Sequence, residues 1–275
     1  MPPIVMTIIS IAFTVAILGF LYWRMIKREE PERIGKVQAL LPIVFGGLSL
    51  GLSSALAIFY MRGALGSGAA KISSLSFFQA FFRSMMIAGL PEEVCKMLGI
   101  IAAVLIFGKK LRNVYEYVLI GAAVGMGFTI VEEFLYSSDA SVMSLIIRLV
   151  SVAAHMTFDM LMGEFLGKAR YGKVTGKGSP IVYYVLALLV PTFIHTLYDT
   201  CTTFNVGLYS GDESKAMSGV IIGLLAYVVL LAYQVIVLVR FKKKTREFCG
   251  MKFLTVDTVP PTEAPAEQVE AEKKD

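Results

Sequence analysis

The sequence predicts an all-α fold: a polytopic membrane helix bundle of about seven transmembrane helices, with the N-terminus out and the C-terminus in. Three observations predict it. Of 275 residues, 56% are hydrophobic and 17% charged, and the mean hydropathy of +0.69 far exceeds what a soluble domain needs to fill one core. Apolar windows of about 20 residues, the length that crosses ~30 Å of hydrocarbon, recur near 3–23, 38–61, 84–107, 115–136, 143–166, 180–203 and 217–240. The basic residues also alternate along the chain. The first, third and fifth connections and the flank "RFKKKTREF" hold nearly all the Lys and Arg, whereas the second, fourth and sixth hold only Arg62, Lys71 and Lys215. The positive-inside rule turns that alternation into the stated orientation.

The opening stretch "MPPIVMTIISIAFTVAILGFLYW" lacks a basic leader and a small-residue cleavage site, so it reads as a retained span. Ahead of the third span, "SFFQAFFRSMM" puts Phe77, Phe78, Phe81 and Phe82 on one helical face, as an interfacial helix or an aromatic belt would. Gly47/Gly51 and Gly121/Gly125 repeat at four-residue spacing, which lets helix backbones approach closely. Residues 253–275, rich in Pro, Glu and Ala, read as a disordered cytoplasmic tail. The net charge of +5 resides at helix ends, so it speaks for a lipid bilayer as partner and not for nucleic acid. Cys95, Cys201 and Cys249 are odd in number and form no CxxC pair, which argues against a disulfide framework or a zinc–cysteine site.

The spans nevertheless carry charge. Glu92, Glu93 and Lys96 fall in the third, Glu132 and Glu133 in the fourth, and Arg148, His155, Asp159 and Glu164 in the fifth. His195 and Asp199 fall in the sixth. Arg148 and Glu164 are near span ends, where they can snorkel to water. The others, left unpaired, would cost on the order of 15–20 kcal/mol together, so they must cluster, face a hydrated cavity or titrate to neutral forms. Their depths agree: spans of alternating direction bring these acids and both histidines of the chain to one level, in the outer half of the membrane. Glu92 and Lys96 are spaced i,i+4 and are expected to pair. His195 and Asp199 share that spacing, so the carboxylate is expected to hold one ring nitrogen and orient the other. On residue chemistry alone the cluster suits a hydrolase or a proton- or cation-coupled membrane transporter.

Read together, "PEEVCK", "GMGFTIVEEFLY", "RLVSVAAHMTFDMLMG" and "FIHTLYDT" resemble the PrsW family of intramembrane proteases, within the wider group of CAAX-processing and bacteriocin-processing membrane proteases. Glu92, Glu93 and Lys96 match its Glu-Glu-x-x-Lys motif, and Phe128 with Glu132 its Phe-x-x-x-Glu motif. His155 with Gly163 match a His followed eight residues later by Gly, and His195 with Asp199 the final His-x-x-x-Asp/Asn. Glu133, where Asn is expected, and the extra acid Asp159 depart from the pattern. The resemblance covers residues 92–199, and with the predicted spans it gives an integral membrane protease domain over 1–252 with its motif-bearing core at 84–203. It also implies a multi-pass protein of the bacterial cytoplasmic membrane. The implied substrate is a membrane-anchored protein, such as an anti-sigma factor cut in a site-1-type step.

The chemistry that follows is hydrolysis by an activated water. HExxH is absent, and Cys95 lies among acids, which disfavours the thiolate a cysteine protease needs. Either Glu92 or Glu93 is expected to be the base. Lys96 keeps one acid ionised, Asp199 orients His195, and Glu132 completes the site. His155 and His195 either polarise the carbonyl directly or, with Glu132 or Asp199, bind a divalent metal such as zinc, which accepts three protein ligands and an open position. The residues alone leave the metal and metal-free forms both open.

Overall fold

The computed structural model describes residues 3–62, 75–136, 142–208 and 210–253. Nine α-helices are found among them: α1 (Pro3–Ile26), α2 (Lys36–Arg62), α3 (Phe77–Ser84), α4 (Leu90–Phe107), α5 (Val114–Tyr136), α6 (Val142–Ser151), α7 (Ala154–Thr175), α8 (Pro180–Cys201) and α9 (Glu213–Gly250). The only extended pairing among the described residues is an isolated antiparallel bridge between Asn113 and Lys252. The chain is packed as far as Phe253, which is buried and donates its backbone N–H to the Arg112 carbonyl. The rest of the expected tail, 254–275, lies outside the described residues, as do most of the second and fourth connections.

Among the described residues, six helical segments are long and apolar enough to cross a membrane: Ile4–Ile26, Lys36–Phe59, Val114–Leu135, Ile147–Thr175, Pro180–Cys201 and Glu213–Gly250. Their outward faces are apolar, as in Phe193 on α8 and Val228 and Ile236 on α9, so lipid and not water is the matching solvent. The expected third span is built differently. α3 begins at Ser76, whose hydroxyl caps the Gln79 N–H while the Gln79 side chain caps the Ser76 N–H. It then runs through a π-helical turn, Met85–Gly89, into the 18-residue α4, which carries all three charges of "PEEVCK". The expected fifth span is also interrupted, with α6 and α7 separated by a turn at Val152–Ala153.

α5 is the centre of the bundle. It is buried without a gap from Val114 to Thr129, as a helix apolar on all sides should be. Glycines set its distance from its neighbours. A Cβ on Gly121 would lie 2.0 Å from the Asp159 carbonyl oxygen and one on Gly125 2.5 Å from that of His155, so α7 rests directly on the backbone of α5. On the other side Gly127 faces the Ile43 carbonyl and Gly46 faces the Val124 carbonyl, each at 1.9 Å from an added Cβ. The Gly121/Gly125 repeat is therefore a packing surface, as its spacing predicts. On α2 the close approach falls to Gly46 and to Gly47, where a Cβ would lie 3.0 Å from the Val131 side chain, whereas a Cβ on Gly51 would meet nothing within 4 Å.

Candidate active site

The first turn of α4, the last turns of α5 and α8 and the first turn of α7 converge at one end of the bundle. They bring Glu92, Glu93, Lys96, Glu132, His155, His195 and Asp199 together. A cavity of about 670 Å³ opens there, lined by Glu92, Glu132, His155, His195 and Asp199, with Arg148 and Glu133 at its wall. That volume lies in the range of ligand pockets, ~300–1,000 Å³.

The π-helical turn places the acids. Gly89 sits against α8, where a Cβ would come within 2.2 Å of the Thr196 hydroxyl, and Ser84 donates to the Thr196 carbonyl at 3.2 Å. Adjacent residues on a helix point about 100° apart, so Glu92 and Glu93 part company. Glu92 turns to the cavity, whereas Glu93 is fully buried and is absent from its lining.

Glu93 holds the interior of the site. Its Oε1 accepts from Lys96 Nζ at 2.6 Å and lies 2.8 Å from His195 Nδ1. Two expectations are corrected here. Lys96 pairs with Glu93 at i,i+3 and not with Glu92, because the ammonium points inward with Glu93. Glu93, not Asp199, holds the orienting nitrogen of His195, since Asp199 Oδ2 lies 3.5 Å from the other nitrogen, Nε2. With Nδ1 donating to Glu93, His195 Nε2 presents a lone pair to the cavity, where Glu92 Oε2 stands 3.7 Å away.

Lys96 also reaches His155. Its Nζ is 3.1 Å from His155 Nδ1 and 4.6 Å from the Phe128 ring centre. An ammonium only donates, so Nδ1 accepts and Nε2 carries the ring proton, which it gives to Glu132 Oε2 at 3.0 Å. Phe128, the aromatic residue of the second motif, thus faces both the cation and the imidazole, its ring centre 4.8 Å from that of His155.

Glu92 with His155 and His195 forms a trio whose ligand atoms all lie within 4.8 Å of one another. The residues fit a divalent cation by two further observations. Glu92 Oε2 is buried without a hydrogen-bond partner, and His195 is held in the ligating tautomer by Glu93. His155 fits once its Nε2 proton is released through the cavity that it lines, as metal binding requires of an imidazole ligand. The expected acid ligands Glu132 and Asp199 instead lie each beside a single histidine.

Several residues fall elsewhere than their positions suggest. Glu164 does not snorkel: it is buried and clamped by Arg240 at 2.5 and 2.6 Å and by Lys168 at 2.5 Å, tying α7 to α9. Arg148 turns inward to Glu133 Oε2 at 3.0 Å, and the Ser10 hydroxyl of α1 donates to the same carboxylate. Asp159 is fully buried 3.9 Å from Lys96, with no hydrogen bond to either oxygen. Phe158 escaped the sequence reading. Its ring stacks on His195 with centres 5.5 Å apart, and only its place between the motif residue His155 and the extra acid Asp159 could have marked it.

Comparison with known proteins agrees with the motif reading. The chain is 30% identical over 125 residues to Protease PrsW of Bacillus subtilis (strain 168), covering 45% of this chain and 56% of that protein. It is 33% identical over 87 residues to Protease PrsW of Geobacillus kaustophilus (strain HTA426), or 31% and 36% of the two chains. It is 26% identical over 126 residues to Protease PrsW of Clostridioides difficile (strain 630), or 44% and 52%. The matched stretch thus spans about half or less of these relatives' own lengths. No solved structure matches. A family model described as PrsW family intramembrane metalloprotease matches residues 38–259, about four fifths of the chain. On that match and the helical membrane architecture around the Glu/His cluster, the chain belongs to the PrsW family of intramembrane metalloproteases.

Proposed function

We propose that the protein is an intramembrane endopeptidase of the bacterial cytoplasmic membrane that hydrolyses a membrane-anchored, single-span protein. The observation that carries this reading is the buried trio of Glu92, His155 and His195 on the wall of a cavity deep in an apolar bundle. Family membership favours hydrolysis over ion-coupled transport.

A divalent cation such as zinc, held by Glu92, His155 and His195, would supply Lewis-acid polarisation of the scissile carbonyl and make a water acidic enough to react. The remaining work belongs to the chain. Glu132, with 27% of its side chain exposed, is the wettest of the four acids lining the cavity and takes the proton of the attacking water. The water oxygen bonds to the carbonyl carbon, the C–N bond breaks, and the same proton passes from Glu132 to the leaving amine. Glu93 fixes the His195 ring, and Lys96 fixes His155 through Nδ1. Asp199, at 12% side-chain exposure, stands on the far side of His195 Nε2, where it can accept from a substrate amide.

Two substitutions separate these roles. Glu92→Gln should purify with far less zinc than wild type and cleave a single-span substrate at least about a hundredfold more slowly. Glu132→Gln should keep its zinc and lose cleavage by about 10²–10⁴-fold, the worth of a general base. Metal content by mass spectrometry and cleavage in liposomes measure both. Full activity with well under one equivalent of metal and no response to chelator would refute the metal assignment and leave Glu92 acting directly on water.

A further inference from the structure

A second hollow, of about 330 Å³, lies away from the active site and shares no lining residue with it. It sits between the end of α1 and residues 238–242 of α9, over α5 and α7. Its walls are apolar, with Leu21, Met160 and Leu238 among them. Its rim carries Arg24, Arg28 and Lys242, and no acidic residue lines it. The Tyr115 hydroxyl donates to the Met25 carbonyl at 3.0 Å, which fixes α1 beside α5 next to the hollow.

Some cations of this chain are neutralised by neighbouring acids. Arg112 pairs with Glu29, Glu32 and Glu116, and Arg240 pairs with Glu164. Among the described residues no ion pair is found for Arg24, Arg28 or Lys242. Like charges one helical turn apart repel, so three gathered on one rim call for an anion. Their level identifies its kind. Arg24 lies in the last turn of α1, and Lys242 follows the apolar window that closes at residue 240, so the cations stand where hydrocarbon gives way to headgroups. Phe20 and Val239, both exposed, flank the opening towards lipid.

We propose that this hollow binds one anionic phospholipid, its acyl chain against Leu21, Met160 and Leu238 and its phosphate among Arg24, Arg28 and Lys242. Apolar walls below a cationic rim match that amphiphile in both parts and in order, and basic pockets between membrane helices bind anionic headgroups in this way. The bound lipid would join α1 to α9 where few side chains do.

Native mass spectrometry of the full chain, released from micelles containing phosphatidylglycerol and phosphatidylcholine, tests this. Wild type should retain one phosphatidylglycerol in preference to phosphatidylcholine. Each neutralised cation should weaken retention about fivefold, so R24Q/R28Q/K242Q should lose it by on the order of a hundredfold. Leu238→Trp, which fills the hollow and leaves the cations, should also lose the adduct. Lys109→Gln/Lys173→Gln/Lys177→Gln, which removes equal charge elsewhere, should keep it. Equal retention of both lipids, an unaffected R24Q/R28Q/K242Q variant, or an equal loss in the lysine control would overturn the proposal. So would displacement by inorganic phosphate alone, or a lipid adduct that forms only after truncation behind Phe253, which would give the cations to the acidic tail.

Discussion

Glu29 shows how a single carboxylate outside the membrane spans sets a property of the protein. It lies in the connection between α1 and α2, is 1% exposed, and accepts the Ile34 N–H at 2.6 Å. Burial first, and then the charge of Glu116, push its pKa up to about 7, against the opposing pull of the Ile34 N–H and of Arg112 at 3.6 Å. The direction matters. Between the ordinary carboxylate value of 4.5 and about 7, the folded protein keeps a proton that the unfolded chain has released. Stability therefore falls as pH rises through that window, and the cost is complete above it. The thermal midpoint in detergent should drop between pH 5 and pH 8, and Glu29→Gln should flatten the drop. Equal slopes in variant and wild type would refute this role. Nothing in "KREEPER" marks Glu29 as the buried acid of the three. The same difficulty attended Glu92 and Glu93: the sequence put both in the site, but which faces the cavity depends on the helix rotation fixed by Gly89 against Thr196.

Among the elements, hydropathy located the long helices well because a membrane demands uninterrupted apolar length. It located their interruptions badly. The π-helical turn at Met85–Gly89 and the break between α6 and α7 are set by contacts with α8 and with Gln234 of α9, whose side-chain amide takes the free Ala153 N–H and donates to the Val150 carbonyl. Neither partner is near in sequence, so local pattern could not report them. The glycine pairs were legible as packing but not as part of the site. Gly125 touches the carbonyl of His155 itself, so α5 sets the height at which that imidazole meets Lys96 and Glu132. Gly125→Ala should force α5 and α7 apart at a cost of about 1–3 kcal/mol. It should lower the thermal midpoint and cut cleavage at least tenfold. Gly51→Ala, whose methyl meets nothing within 4 Å, should do neither. A Gly125→Ala protein with wild-type cleavage would show that His155 tolerates displacement and that α5 does not position it.

At the scale of the whole molecule, the site's place in the bundle dictates where a substrate is cut. Glu92 opens α4, Glu132 closes α5, His155 opens α7, and His195 and Asp199 close α8, so all four helices bring their chemistry to the same end. The opposite end carries Arg28, Lys109, Lys110, Lys173 and the basic run after Arg240, which the positive-inside rule assigns to the cytoplasm. In the orientation expected from the sequence, the cavity would belong to the outer half of the membrane. If Glu132 is the base, as proposed, a scissile carbonyl must come within hydrogen-bonding reach of it and its water, and a carbonyl in an intact helix is already occupied by its own N–H partner. A substrate should therefore be cut at the outer end of its span, leaving the rest anchored, and Gly or Pro placed there should speed the reaction by easing local unwinding. Mapping both product termini by mass spectrometry, for a substrate whose span is shifted in steps past the site, measures this directly. If the cut follows the outer boundary as the span is shifted, the orientation and the site agree. A cut at the cytoplasmic end would mean that the chain sits in the membrane the other way up or that hydrolysis occurs away from Glu92, His155 and His195.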